Sequence, residues 1–222
     1  LCSTLTSLGL DISGVDAIFI THEHTDHVGA LEQISKKHGI PVHITERSLA
    51  GMPAGEFLLR AAVTHPPEFS VEVAGLRVTS FQTSHDSACS VGYRFEFEDE
   101  EGTHSLGFAT DTGVVTEGMA RGLCGCEAVV LECNHDPTML MFGRYPYQLK
   151  RRISSREGHL SNEDCAAFAA TLAESGTRHI LLAHLSKENN HPTLALAAVR
   201  GAVPSPEVDI RVAEPSAPVV LV

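Results

Sequence analysis

The 222-residue chain has no Cys-x-x-Cys spacing, no long apolar run and no excess of basic residues. Each absence removes a class of function. The six cysteines (Cys2, Cys89, Cys124, Cys126, Cys133 and Cys165) fall without paired spacing, which reads as reduced cytosolic thiols rather than a disulfide framework. Cys124 and Cys126 are close enough in sequence to hold a metal, but buried small hydrophobes are their expected role. No stretch approaches the roughly 18 apolar residues of a membrane span, so no membrane partner is expected. No secretory leader is visible, although Leu1 is not an initiator methionine, and a cytoplasmic protein is the expectation. With 16 Lys and Arg against 28 Asp and Glu, the formal charge is −12, which argues against coating nucleic acid by bulk electrostatics. Two bound divalent ions would offset about a third of that charge at one place, so the overall sign does not decide the substrate. Nothing repeats, no segment is low in complexity and no linker divides the chain. A single α/β domain over residues 1–222 is expected.

What is present concentrates in Thr21-His22-Glu23-His24-Thr25-Asp26-His27, with three histidines and two carboxylates in seven residues. Residues 15–20 ahead of it are β-branched and aliphatic, as in a buried strand, and residues 28–34 carry apolar side chains at helical spacing. The polar cluster therefore sits on a strand-to-helix turn. His22 and His24, two apart in extended backbone, present both imidazoles on one side. Asp26 and His27 enter the helix, whose free amides and positive dipole end favour a carboxylate. Imidazole nitrogen and carboxylate oxygen are the ligand set of zinc and similar divalent ions.

The remaining chain reads as strands and helices in alternation. A helix over residues 1–10 ends at Gly9, and the helix after the polar turn stops at Gly39. Residues 41–45 form a strand, and residues 46–60 a helix broken by Pro53. Residues 69–73 and 76–81 flank Ala74-Gly75 as a hairpin, and 91–97 alternates bulky and polar residues. Residues 105–110, 128–132, 179–183 and 208–212 complete the strands. Ser161 caps one helix, and another covers 192–200. His85, Asp111, His135 and His184 each follow a strand, where α/β folds place their ligands.

His22-x-His24-x-Asp26-His27 resembles the signature of the metallo-β-lactamase-fold hydrolases. Glu132-Cys133-Asn134-His135-Asp136 and Gly158-His159-Leu160-Ser161-Asn162 resemble the branch called YycJ or WalJ, bacterial cytoplasmic proteins regarded as metal-dependent phosphodiesterases or DNases. The resemblance implies a four-layer αββα sandwich with the metal site at one edge. Family members normally begin with further strands and an Asp-x-Gly turn ahead of the segment matching Leu1, so a sandwich short of those N-terminal strands is expected. The resemblance also implies two ions, zinc or manganese. His22, His24 and His85 would hold one, and Asp26, His27 and His184 the other, with Asp111 bridging.

Two such ions would lower the pKa of a shared water, hold it as hydroxide and clamp a phosphoryl oxygen. Asp26 and His159 take catalytic parts, His159 by likeness to the proton-donating histidine of tRNA 3′-processing nucleases. A cap or surface role for His159 stays open. Asn134, His135, Ser161 and Asn162 are candidates for contacting substrate. Lys150, Arg151, Arg152 and Arg156 form either a solvated face or a phosphate-binding rim. His38, His43, His65, His104, His179 and His191 are expected to be structural. The function expected is an exonuclease-like DNA phosphodiesterase. A thioester or lactone hydrolase and a non-catalytic regulatory protein stay open, because fold does not fix function.

Overall fold

In the computed structural model, described for residues 2–214 and 217–220, the apolar runs assemble into two sheets. The smaller is parallel and three-stranded, β1 (Ile18–Phe19), β2 (Val42–Thr45) and β3 (Ala62–His65). The larger contains β4 (Ser70–Val73), β5 (Leu76–Gln82), β6 (Val91–Asp99), β7 (Gly102–Ala109), β8 (Ala128–Glu132), β9 (His179–Ala183) and β10 (Asp209–Val212), in the order β10-β9-β8-β7-β6-β5-β4. From β4 to β7 neighbours are antiparallel, and from β7 to β10 they are parallel. Strands β5, β7, β8 and β9 therefore run the same way, and their C-terminal ends share one edge.

Burial fixes the layers. The helices α2 (Thr25–Val28), α3 (Leu31–His38), α4 (Glu46–Ala50) and α5 (Glu56–Ala61) follow β1 and β2 in the chain. Leu31 of α3 and Leu58 of α5 pack on Val42 and Ile44 of β2. Between the sheets, Phe19 meets Tyr93 and Phe95 edge-on, with centroids 5.6 and 6.0 Å away. Beyond the large sheet lie α6 (Glu117–Leu123), α9 (Asn162–Glu174) and α10 (Pro192–Ala202). Their Met119, Leu123, Phe168, Leu172 and Val199 cover Val129, Leu131, Ile180 and Leu182. The order helix, sheet, sheet, helix is the four-layer αββα sandwich that the motifs implied.

Local structure departs from the sequence reading where tertiary contacts override it. The strand expected over 15–20 keeps two residues, Ile18–Phe19, and a 3₁₀ turn capped by Asp11 precedes it over Ile12–Gly14. The first helix, α1, covers Cys2–Ser7, and Leu1 lies outside the described residues. The helix after the polar turn divides at Gly29, where a Cβ would meet the Thr25 carbonyl oxygen at 2.8 Å. Ala74 and Gly75 both take positive φ, +50° and +80°, the pairing a tight hairpin turn requires. Two further helices, α7 (Pro137–Phe142) and α8 (Tyr147–Ile153), leave the sheet edge between β8 and α9. Among the described residues no helix is long and apolar enough to cross a membrane.

Candidate metal centre

All seven residues proposed as ligands from sequence meet at the edge where β5, β7, β8 and β9 end. His22, His24 and His85 form a triangle with ring centroids 4.5, 5.0 and 5.1 Å apart. His22, His24 and His85 each offer a nitrogen within 4.8 Å of the others, and Asp26, His27 and His184 make a second such set. Asp111 lies between the sets. Its Oδ2 is 3.4 Å from His27 Nε2, and its Oδ1 is 3.5 Å from His184 Nε2 and 3.9 Å from His85 Nε2.

Backbone and hydrogen bonds aim these side chains. Asp111 and His184 both hold φ of +57°, a left-handed conformation costly to a residue with a Cβ and characteristic of functional sites. Thr21 Oγ1 lies 3.1 Å from His22 Nδ1 and 3.2 Å from His27 Nδ1, and by accepting from both Nδ1–H groups it leaves the two Nε2 atoms as lone-pair donors. The His85 Nδ1–H donates to the Gly158 carbonyl at 3.1 Å, which leaves Nε2 as a lone-pair donor. Gly158 is needed there, because a Cβ would collide with the carbonyls of Arg152 and Ile153.

The donor set fits a divalent cation. His22 Nε2 and Asp111 Oδ2 are buried without a hydrogen-bond partner, and isolated buried polar atoms carry a desolvation cost that a bound cation removes. Burial drops the His22 pKa to about 3 and lowers that of His85, so both rings are neutral near pH 7. Burial pushes the Asp26 carboxyl up, but backbone hydrogen bonding and the His27 and His184 rings outweigh it and keep the group ionised. His184 runs the other way. Burial pushes it down, yet its bond to Glu132 and the nearby Asp111 raise it to about 9, so a proton and a metal compete for its Nε2.

Glu132 was not singled out in the sequence as a functional residue. It is fully buried, and its Oε1 accepts Nδ1–H bonds from both His159 and His184 at 2.8 Å. Its Oε2 accepts from the Thr112 amide at 2.9 Å and the Leu160 amide at 3.3 Å. Burial opposes its ionisation, but the two histidine bonds dominate and hold its pKa near 2. Four donors saturate the carboxylate, so Glu132 is better suited to orienting rings than to ligating. A glutamate closing an otherwise apolar strand, Ala128-Val129-Val130-Leu131-Glu132, was the available signal.

His159 stands beside this cluster, its ring centroid 5.0 Å from His85 and 5.2 Å from His184. Its Nδ1 is committed to Glu132, which leaves Nε2 for a substrate. Asn134, His135, Ser161 and Asn162 are all buried. The Asn134 amide donates to the His184 carbonyl at 2.8 Å, and the Asn162 amide donates to Asn190 Oδ1 at 2.9 Å. Ser161 caps α9 by accepting from the Asp164 amide at 3.0 Å, and among the four only His135 keeps a ring nitrogen without a partner.

A family model described as the beta-lactamase superfamily domain matches residues 4–185. The chain belongs to that family. It is 39% identical over 195 residues to exodeoxyribonuclease YycJ of Bacillus anthracis, an alignment covering 86% of this chain and 71% of the relative. It is 34% identical over 197 residues to exodeoxyribonuclease WalJ of Streptococcus pneumoniae, covering 87% and 72%. Zn(2+)-bound PqqB from Methylobacterium extorquens has the same fold, with a TM-score of 0.62 at 21% identity over 89% of this chain and 68% of its own. The metallo-β-lactamase fold and the grouped His and Asp side chains together point to divalent metal ions.

In this β-lactamase superfamily domain the cations of residues 150–156 divide. Arg152 pairs with Asp86, next to His85, and Lys150 Nζ donates to the Met141 carbonyl at 2.8 Å. Arg151 and Arg156 are exposed. The histidines expected to be structural lie outside the metal-capable groups found among the described residues. His43 and His65 bond each other at 2.9 Å, His104 bridges Asp99 and Glu127, and His191 caps α10.

Proposed function

We propose that the chain is a binuclear metal-dependent phosphodiesterase that degrades DNA from its ends. The observation that carries this reading is Asp111, within 3.4 to 3.9 Å of imidazole nitrogens from both ligand sets. His22, His24 and His85 would hold one ion and Asp26, His27 and His184 the other, with Asp111 available to both sets. The mixed nitrogen and oxygen donors suit zinc or manganese. Bound there, such ions supply Lewis acidity that neutralises charge on a phosphoryl group and acidifies water.

The chain's own residues do the rest. Glu132 fixes the rings of His184 and His159 through their Nδ1–H groups, and as a water oxygen bonds to phosphorus and the P–O bond to the leaving group breaks, His159 Nε2 delivers a proton to the leaving oxygen. Asn134, Asn162 and Ser161 support the loops that carry His184 and His159, and His135 is the member of that group with a free nitrogen. The DNA substrate is supported by two relatives, both exodeoxyribonucleases, whose lengths the chain covers by 71% and 72%.

The test is metal content of the purified protein together with hydrolysis of bis(p-nitrophenyl) phosphate, a thioester, a lactone and end-labelled DNA. Two ions per chain with turnover of the phosphodiesters supports the reading. Turnover of the thioester or lactone alone overturns it.

A further inference from the structure

The helical pair α7 and α8 is held by its ends and buries little of its own surface. Leu140 is the one buried residue of α7, and α8 has none. Phe142 is 80% exposed, Tyr147 73% and Met141 68%. Large apolar groups left exposed this close together in the chain point to a binding surface. The charge pattern says what kind. The twenty residues between Asp136 and Glu157 carry five cations (Arg144, Lys150, Arg151, Arg152, Arg156) and no carboxylate, in a chain whose formal charge is −12. The Arg151 guanidinium lies over the Tyr147 ring, 5.9 Å from its centroid.

Both ends of the pair join the metal centre. At the outgoing end, Asn134 bonds the His184 carbonyl, and Asp136 caps α7 by accepting from the Met139 amide at 2.8 Å. At the returning end, Arg152 pairs with Asp86, the Arg156 carbonyl accepts from Ser84 Oγ at 2.8 Å, and Gly158 receives His85. Exposed aromatic faces interleaved with arginines match the π-faces and phosphates of an unpaired strand, whereas duplex DNA hides its base faces. Self-association fits less well, because a symmetric contact would bring two sets of five cations together.

We propose that α7 and α8 form a stacking platform for a single-stranded DNA end, with Phe142 and Tyr147 taking base faces and Arg144 and Arg151 taking phosphates. This rests on the phosphodiesterase reading and adds the strand state of its substrate.

The experiment uses metal-loaded protein and a cleavage-resistant phosphorothioate oligothymidylate of about 12 nucleotides, read by fluorescence anisotropy. Phe142→Ala and Tyr147→Ala should each weaken binding about tenfold, on the scale of lost base–aromatic stacking. An abasic oligomer of equal length should bind wild type and the double variant alike, and a blunt duplex should bind both alike. The proposal is overturned if the double variant keeps wild-type affinity for oligothymidylate, or if it loses the abasic oligomer equally. It is also overturned if wild type is a dimer that the double variant dissolves, or if anionic vesicles bind wild type through the same two side chains. Hydrolysis of bis(p-nitrophenyl) phosphate by wild type, a substrate without bases, tests the phosphodiesterase reading separately.

Discussion

Glu132 Oε1 accepts a hydrogen bond from His184 Nδ1–H at 2.8 Å and another from His159 Nδ1–H at 2.8 Å. One buried carboxylate thus sets the tautomer of a proposed ligand and of the proposed acid together. Glu132→Gln preserves shape but puts an amide NH₂ where two oxygens now accept four bonds. Metal affinity should fall about 10- to 100-fold, the usual scale for losing such an orienting partner. Chelator competition measures it, and unchanged affinity would refute the orienting role.

For His159 the decisive comparison is between leaving groups. His159→Ala should keep its metal content and slow DNA cleavage by about 10²–10⁴-fold, the scale of general acid catalysis. The loss should shrink sharply with a p-nitrophenyl ester, whose leaving group departs without a proton. Equal losses on both substrates, or loss of an ion, would make His159 a ligand or a structural residue and turn attention to His135.

Tyr93 of β6 donates its hydroxyl to the Ile20 carbonyl at 2.5 Å, joining the large sheet to the end of β1 two residues before His22. Burial raises the phenol's pKa, so the donor is protonated throughout the working range. Tyr93→Phe leaves that buried carbonyl without the bond and should cost about 1–3 kcal/mol in urea unfolding at constant m-value. A change below about 0.5 kcal/mol, the level of a neutral surface substitution, would show the bond to be dispensable.

His43 and His65 stack with Phe19 and Phe69 between the sheets, and burial lowers both pKa values below 6.5, His65 lowering His43 further. Their folded-state pKa values lie below the unfolded value, so the unfolded chain takes up protons first on acidification. Their contribution is fully present above pH 6.5 and is lost as pH falls below it. Denaturant midpoints should therefore drop between pH 7.5 and 5.5, and less so in His65→Phe. An identical pH slope in the variant would remove the pair as its source.

The sequence alone determined the chemistry of the centre and most of its positions. His22, His24, Asp26 and His27 are spaced by local geometry, two apart on extended backbone and then on the first turn of a helix, and local geometry is written in consecutive residues. His85, Asp111 and His184 were placed by motif likeness rather than by derivation. What brings them together is the common direction of β5, β7 and β9, a pairing of distant segments that no short window contains. Glu132 reads in the sequence as the end of a buried strand and the start of a family-like phrase, but its role comes from two rings 27 and 52 residues away. The basic set of residues 150–156 is visible in the sequence, but the helices α7 and α8 that carry it are not, because Met141, Phe142 and Tyr147 face solvent, where no core imposes a period. Short-range spacing marks four of the candidate ligands, and the register of the large sheet decides that the other three meet them.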